Sequence, residues 1–212
     1  MDKAEKAQKI ERQKMRDARK AKEHREDRRN QFWIYGTGAV LLIALILPVT
    51  IVSVKNQKEK SRLIAQAAKP IDGVQSYKSL TRNHTSKQVA YSLNPPAGGD
   101  HAGGFINCGI YTHPINNWEA VHSMEHGAVW VTYRPSFSSK EIGILRKIAA
   151  SRPYVLLSPY SNLSSPVVAS AWGKQLMLES ASDPRLALFL QAYLQGVQTP
   201  EPGAPCSGGV QG

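Results

Sequence analysis

The chain has 212 residues, two cysteines and a net charge of +11. That length accommodates one folded domain with a burial-competent core plus extended flanking segments. The excess charge sits in residues 1–30, with 12 Lys/Arg against 7 Asp/Glu, and in residues 55–69, with five against one; the rest is near neutral, which excludes nucleic-acid binding as the reason for it.

Residues 2–30 contain neither Pro nor Gly and are rich in Lys, Arg, Glu and Ala, a composition that favours helix. Ala4, Ala7, Ala18 and Ala21 form too thin a stripe for a coiled coil, so 1–30 reads as a charged cytoplasmic helix. From Phe32 to Val54, 23 residues carry no ionisable side chain except the Tyr35 phenol. As a helix this stretch reaches roughly 35 Å, against a bilayer core of about 30 Å. It predicts a transmembrane helix over 32–54, an uncleaved signal anchor, because a 30-residue charged leader and a 23-residue apolar run are both too long for a cleaved signal peptide. Arg25, Arg28 and Arg29 beside the span place the N-terminus in the cytoplasm and the C-terminal domain outside the plasma membrane. Residues 55–70 then read as a basic helical stalk ending at Pro70.

The folded domain is expected over 71–212. Gln88 to Leu93 is a candidate strand. Asn94 to Gly104 holds two prolines and four glycines in eleven residues, so it is a long loop, and it carries His101. Cys108 to Tyr111 reads as a short strand. Asn116 or Asn117 can cap a helix running from Trp118 to His126, with Gly127 as its stop. Ala128–Tyr133 follows as a buried strand. Ser138 or Ser139 caps a helix through Ala150, whose apolar face is Ile142, Leu145, Ile148 and Ala149. Tyr154–Ser158 is a strand, 167–172 and 175–179 a hairpin about Gly173-Lys174, and Asp183-Pro184 starts a last helix ended by Gly196. This order predicts an α+β domain with a largely antiparallel sheet and helices on one face.

Cys108 and Cys206, in an oxidising outer compartment, allow one disulfide, which would tie the Pro/Gly-rich tail from Pro200 back to the domain. Two free thiols, or Cys108 as a metal ligand, are the alternatives. The densest chemical signal is Val121-His122-Ser123-Met124-Glu125-His126-Gly127. On a helix His122 and His126 share a face, and two imidazoles so spaced can bind one transition metal. Glu125 is a further ligand or a hydrogen-bond acceptor that fixes an imidazole tautomer, and His101 is a third imidazole on a loop able to close over the pair. Such a set suits copper(II) or zinc. The competing reading is structural, with these histidines hydrogen-bonded to backbone and carboxylates. Ser123 lacks a nucleophile elbow, and the Gly98-Gly99 and Gly103-Gly104 pairs lack the Lys and helix of a phosphate loop. Asn83-His84-Thr85 and Asn162-Leu163-Ser164 match the glycosylation sequon.

Taken together, Pro95-Pro96-Ala97-Gly98-Gly99-Asp100-His101, Asn107-Cys108-Gly109-Ile110-Tyr111, Ala120 to Val129, Tyr154 to Tyr160, Ala171-Trp172-Gly173, Asp183 to Leu186 and the tail to Cys206 resemble domain of unknown function 3105. This is a bacterial, mainly actinobacterial, membrane-anchored family, and the resemblance covers about residues 71–210. It implies an extracytoplasmic domain with His84, His101, His122, Glu125, His126 and both cysteines as motif positions, adding His84 to the possible ligands. Met124 stands where the family usually has Leu, so a thioether ligand is not implied. The resemblance supplies no activity. The leading expectation is therefore a single-pass envelope protein whose outer domain binds copper or zinc through His101, His122, His126 and Glu125 in a non-catalytic, accessory role. A metal-free interaction module supporting an envelope complex is the second reading and a hydrolase the third.

Overall fold

A computed structural model describes residues 3–212; the side chains of residues 3–8, 10 and 18, and most of those within 30–49, lie outside that description. The chain divides into two units, Met1–Glu59 and Lys60–Gly212. One continuous helix, α1 (Lys3–Ala67), runs through the segments expected as arm, span and stalk. It corrects the membrane reading. Among the described residues no helix is long and apolar enough to cross a membrane. A bilayer core requires about 20 consecutive, predominantly apolar residues, and the described part of 32–54 does not provide them; the side chains of 36–46, the middle of that stretch, are outside the description. The transmembrane helix, the integral single-pass assignment and the plasma-membrane location fall with it.

The second unit is built on a six-stranded sheet: β1 (Val74–Ser76), β2 (Gly109–Ile110), β3 (Val129–Tyr133), β4 (Val155–Pro159), β5 (Val167–Ala171) and β6 (Lys174–Leu178). Their order in space is β1-β6-β5-β3-β4-β2. β1, β6, β5 and β3 pair antiparallel, whereas β3–β4 and β4–β2 are parallel. The sheet is thus mixed rather than largely antiparallel. The reason is α3 (Ser139–Ala150), a crossover helix that carries the chain back across the sheet, so that β4 runs alongside β3 in the same direction.

Helices also cover both faces, not one. Val129, Val131 and Tyr133 of β3 point into a core shared with Leu145 and Ala149 of α3 and with Leu186, Phe189 and Leu190 of α4 (Pro184–Tyr193). Trp130, Leu156 and Val168 point the other way, onto Ala120, Val121 and Met124 of α2 (Asn117–Glu125) and onto Ile106. β3, β4 and β5 are consequently buried at every position. A strand covered on both sides reads as an unbroken apolar run rather than an alternation, and Val-Trp-Val-Thr-Tyr is such a run.

Residues 77–107 contain no strand longer than a bridge; the strand expected at 88–93 is irregular backbone. This stretch is held by single bonds. Tyr77 N donates to Gly173 O, Gly173 N to Ala97 O, and the Tyr91 hydroxyl to Asp100 O. Cys108 and Cys206 form a disulfide across a sequence separation of 98, which points to a non-cytoplasmic compartment. The tail lies along 105–108: Cys108 N donates to Cys206 O, Asn107 N to Val210 O, and Val210 N to Phe105 O.

Candidate metal centre

α2 begins where the Asn116 side chain accepts from Trp118 N, at 2.9 Å, satisfying one of the free N–H groups of a helix start. It ends at Gly127, whose φ of +94° and 2.9 Å clearance between a built Cβ and Gln195 Cα admit only glycine without rearrangement. Between these stops the helix places His122 and Glu125 three residues apart on one buried face. Their relative exposures are 5% and 2%.

The loop 94–104 brings the next candidate ligand. Gly98 and Gly99 have φ of +128° and +115°, and a Cβ at Gly98 would sit 2.7 Å from Leu80 and 3.3 Å from the Trp172 ring. The loop therefore packs onto Trp172 and delivers His101 to the interior, where it is fully buried. His84 arrives by a separate route. Asp100 Oδ1 accepts from both the backbone N and the side-chain Nδ2 of Asn83, at 3.0 and 2.9 Å. Thr85 N donates to His101 O and His101 N to Asn83 O. These bonds make a parallel bridge that sets His84 beside His101. Hydrogen bonds from Thr81 and Asn83 hold the Asp100 carboxyl below its ordinary pKa, which keeps this clamp anionic.

His84, His101, His122 and Glu125 each present a ligand atom, and the four atoms lie within 4.8 Å of one another. Hydrogen bonding determines which nitrogens those are. His101 Nδ1 donates to Gly99 O and His122 Nδ1 to Ala102 O, both at 2.8 Å. A carbonyl only accepts, so each Nδ1 carries the hydrogen and each Nε2 has its lone pair free for a second partner. For His101 that partner is Glu125 Oε2, at 2.8 Å. Nε2 of His84 lies 3.5 Å from the same oxygen. The fully buried His101 ring thus faces an acceptor at each nitrogen. Either a proton or a cation must lie between Nε2 and the carboxylate, because two lone pairs at that separation repel.

His122 stacks on His84 with ring centroids 4.7 Å apart and stands 4.9 Å from His101. Burial holds its pKa down at about 4, with the neighbouring histidines adding to the effect and the Ala102 hydrogen bond opposing it. The ring is neutral at pH 7, the form that ligates.

His126, expected as a ligand, caps α2 and turns away. Its Nδ1 donates to Pro205 O at 2.7 Å and its Nε2 lies 3.5 Å from Glu201 Oε2. It touches the cluster through its ring, 4.6 Å from His122 and 4.8 Å from Phe105. His113 is exposed beside Tyr111. The serines are committed elsewhere: Ser123 Oγ donates to Ile106 O, Ser158 Oγ accepts from Trp130 Nε1, and Ser170 Oγ accepts from Gln175 Nε2. Asp100, Tyr91 and the Gly99 and Ala102 carbonyls escape a reading of the sequence. Their roles are backbone contacts across loops, which leave no periodic trace. The run Gly98-Gly99-Asp100-His101 is the one signal that could have pointed to them.

A sequence profile described as Protein of unknown function (DUF3105) matches residues 83–208, more than half of the chain and the whole of this cluster. No curated protein and no solved structure matches.

Proposed function

The chain belongs to the family described as Protein of unknown function (DUF3105), a description that assigns no activity, and we propose for this member a metal-binding domain that holds one zinc or copper(II) ion through His84, His101, His122 and Glu125. The observation that carries the reading is the convergence of four ligand atoms within 4.8 Å, three of them on buried residues. Two of the imidazoles have their Nδ1–H fixed on backbone carbonyls. That outer bond is the usual means of setting a metal-ligating histidine's tautomer. Tetrahedral bonds of about 2.0–2.1 Å put ligand atoms roughly 3.3 Å apart, close to the 3.5 Å between His84 Nε2 and Glu125 Oε2. Three imidazoles and a carboxylate suit zinc or copper(II). Four protein ligands make the closed set of a structural or binding site, so the role we assign is binding rather than catalysis.

The test is elemental analysis of the purified full-length chain after dialysis against zinc or copper(II). One ion per chain is expected in the wild type and none in His122→Ala. A folded wild type that takes up no ion refutes the reading.

A second reading has one observation in its favour. A separation of 2.8 Å is also the length of a charge-assisted N–H···O bond, so a proton alone could join His101 to Glu125 and pin the glycine loop to α2. The cluster would then be structural, and added metal would leave thermal stability unchanged.

A further inference from the structure

The four ligands are unequal. His101, His122 and Glu125 are 0%, 5% and 2% exposed. The side chain of His84 is 49% exposed. Behind the buried three stand the Trp172 ring, edge-on to His101 at 5.8 Å, and Phe105, edge-on to His122 at 5.8 Å. The buried imidazoles are also pinned by Nδ1 bonds to carbonyls of the 94–104 loop, His101 to Gly99 O and His122 to Ala102 O, whereas among the described residues the His84 ring makes only ring contacts and the 3.5 Å approach to Glu125. Its backbone, in contrast, is clamped on both sides by Asn83–Asp100 and Thr85–His101. Rotation of one side chain about χ1 and χ2 therefore opens the site to solvent, with no loop movement.

Resting on the metal reading above, we propose that His84 is the exchange position of the centre. The ion enters and leaves at this corner by ligand substitution. An incoming imidazole-type donor forms a bond to the metal as the metal–Nε2 bond of His84 breaks, and no change of oxidation state occurs. The buried triad of His101, His122 and Glu125 holds the ion throughout. The centre is then suited to passing the ion to or from a partner that offers a histidine side chain, a task for which four equally buried ligands would be too slow.

Cobalt(II), whose visible spectrum reports coordination, is the probe, titrated into the metal-free full-length chain. Wild type, His84→Ala and His122→Ala are compared, each checked for folding by circular dichroism. His84→Ala is expected to keep a cobalt spectrum of altered shape. It should lose the ion to a chelator faster than wild type by at least the roughly tenfold that loss of an outer hydrogen-bonding partner costs. Added free imidazole should fill the vacated position and restore the wild-type spectrum, while His122→Ala binds no cobalt with or without imidazole. A His84→Ala protein with the wild-type spectrum and release rate overturns the proposal, and so does one that is folded but binds no cobalt, or one whose spectrum imidazole leaves unchanged. In each of these cases wild-type binding leaves the metal reading standing. Failure of folded wild type to bind cobalt overturns both.

Discussion

Glu125→Gln keeps the shape of the site and removes its one negative charge. In the metal-free protein its effect should be small. His101 holds a hydrogen at Nδ1 for Gly99 O, and a Gln amide can donate to the Nε2 lone pair 2.8 Å away. A neutral hydrogen bond then replaces a charge-assisted one, at a cost of about 1 kcal/mol. The large effect is in the response to metal. At free metal 100-fold above Kd, the wild type gains about 2.7 kcal/mol from binding to the folded state alone. For a domain of about 150 residues that raises Tm by roughly 5–11 °C. Losing an anionic ligand should weaken binding at least as much as the roughly 100-fold upper cost of losing an outer partner. At the same metal concentration Glu125→Gln would then gain only about 0.4 kcal/mol, roughly 1 °C. The assay is thermal unfolding of both proteins in chelator and in zinc. An equal zinc-induced shift in both removes Glu125 from the ligand set. No shift in the wild type leaves the proton-held cluster as the account of the site.

Replacing Cys108 and Cys206 together by Ser releases a loop with a sequence separation of 98; the chain-entropy cost is about 4.7 kcal/mol, read as a lower urea midpoint, and a loss below about 1 kcal/mol would contradict it. His122 supplies the pH dependence of the metal-free protein. Its pKa falls from the ordinary 6.5 to about 4 on folding, so below pH 6.5 the unfolded chain binds the extra proton and the folded chain does not. Stability is therefore full above pH 6.5 and declines as pH falls toward 4, by on the order of 3 kcal/mol; urea unfolding across that range measures it, and a flat profile refutes the burial argument. His126→Leu should leave metal stoichiometry unchanged, since the His126 nitrogens face Pro205 and Glu201. It should cost about 1 kcal/mol through the lost bond to Pro205 O, and elemental analysis with a urea melt checks both.

The sequence by itself determined the local features. Asn116 or Asn117, Ser138 or Ser139, and Asp183 announced three helix starts, and Asn116, Ser138 and Asp183 are the ones that cap, each through a side-chain acceptor. The apolar runs at 128–133, 154–158 and 167–172 announced three strands, observed at 129–133, 155–159 and 167–171. The three-residue spacing of His122 and Glu125 put both on one helix face. Each of these follows from contacts within a turn or a strand, which the spacing of residues encodes directly.

Tertiary structure decided what lies between segments distant in sequence. The run 32–54 looked sufficient for a membrane span, yet among the described residues no helix is long and apolar enough to cross one. The order of elements placed the helices on one face of the sheet; both faces are covered, and which helix covers which depends on the crossover through α3. The proposed ligand set rests on contacts of the same kind. His126 follows His122 by four residues, and spacing made it a ligand; the tail, tied down by Cys108–Cys206, presents Pro205 O and draws its Nδ1 away. His84 lies 17 residues before His101, on backbone with no regular structure. It joins the cluster because the Asp100 carboxylate and two backbone bonds fix Asn83 and Thr85 beside the glycine loop. A bond of that kind depends on where two loops meet in space, and no periodicity in the chain records it.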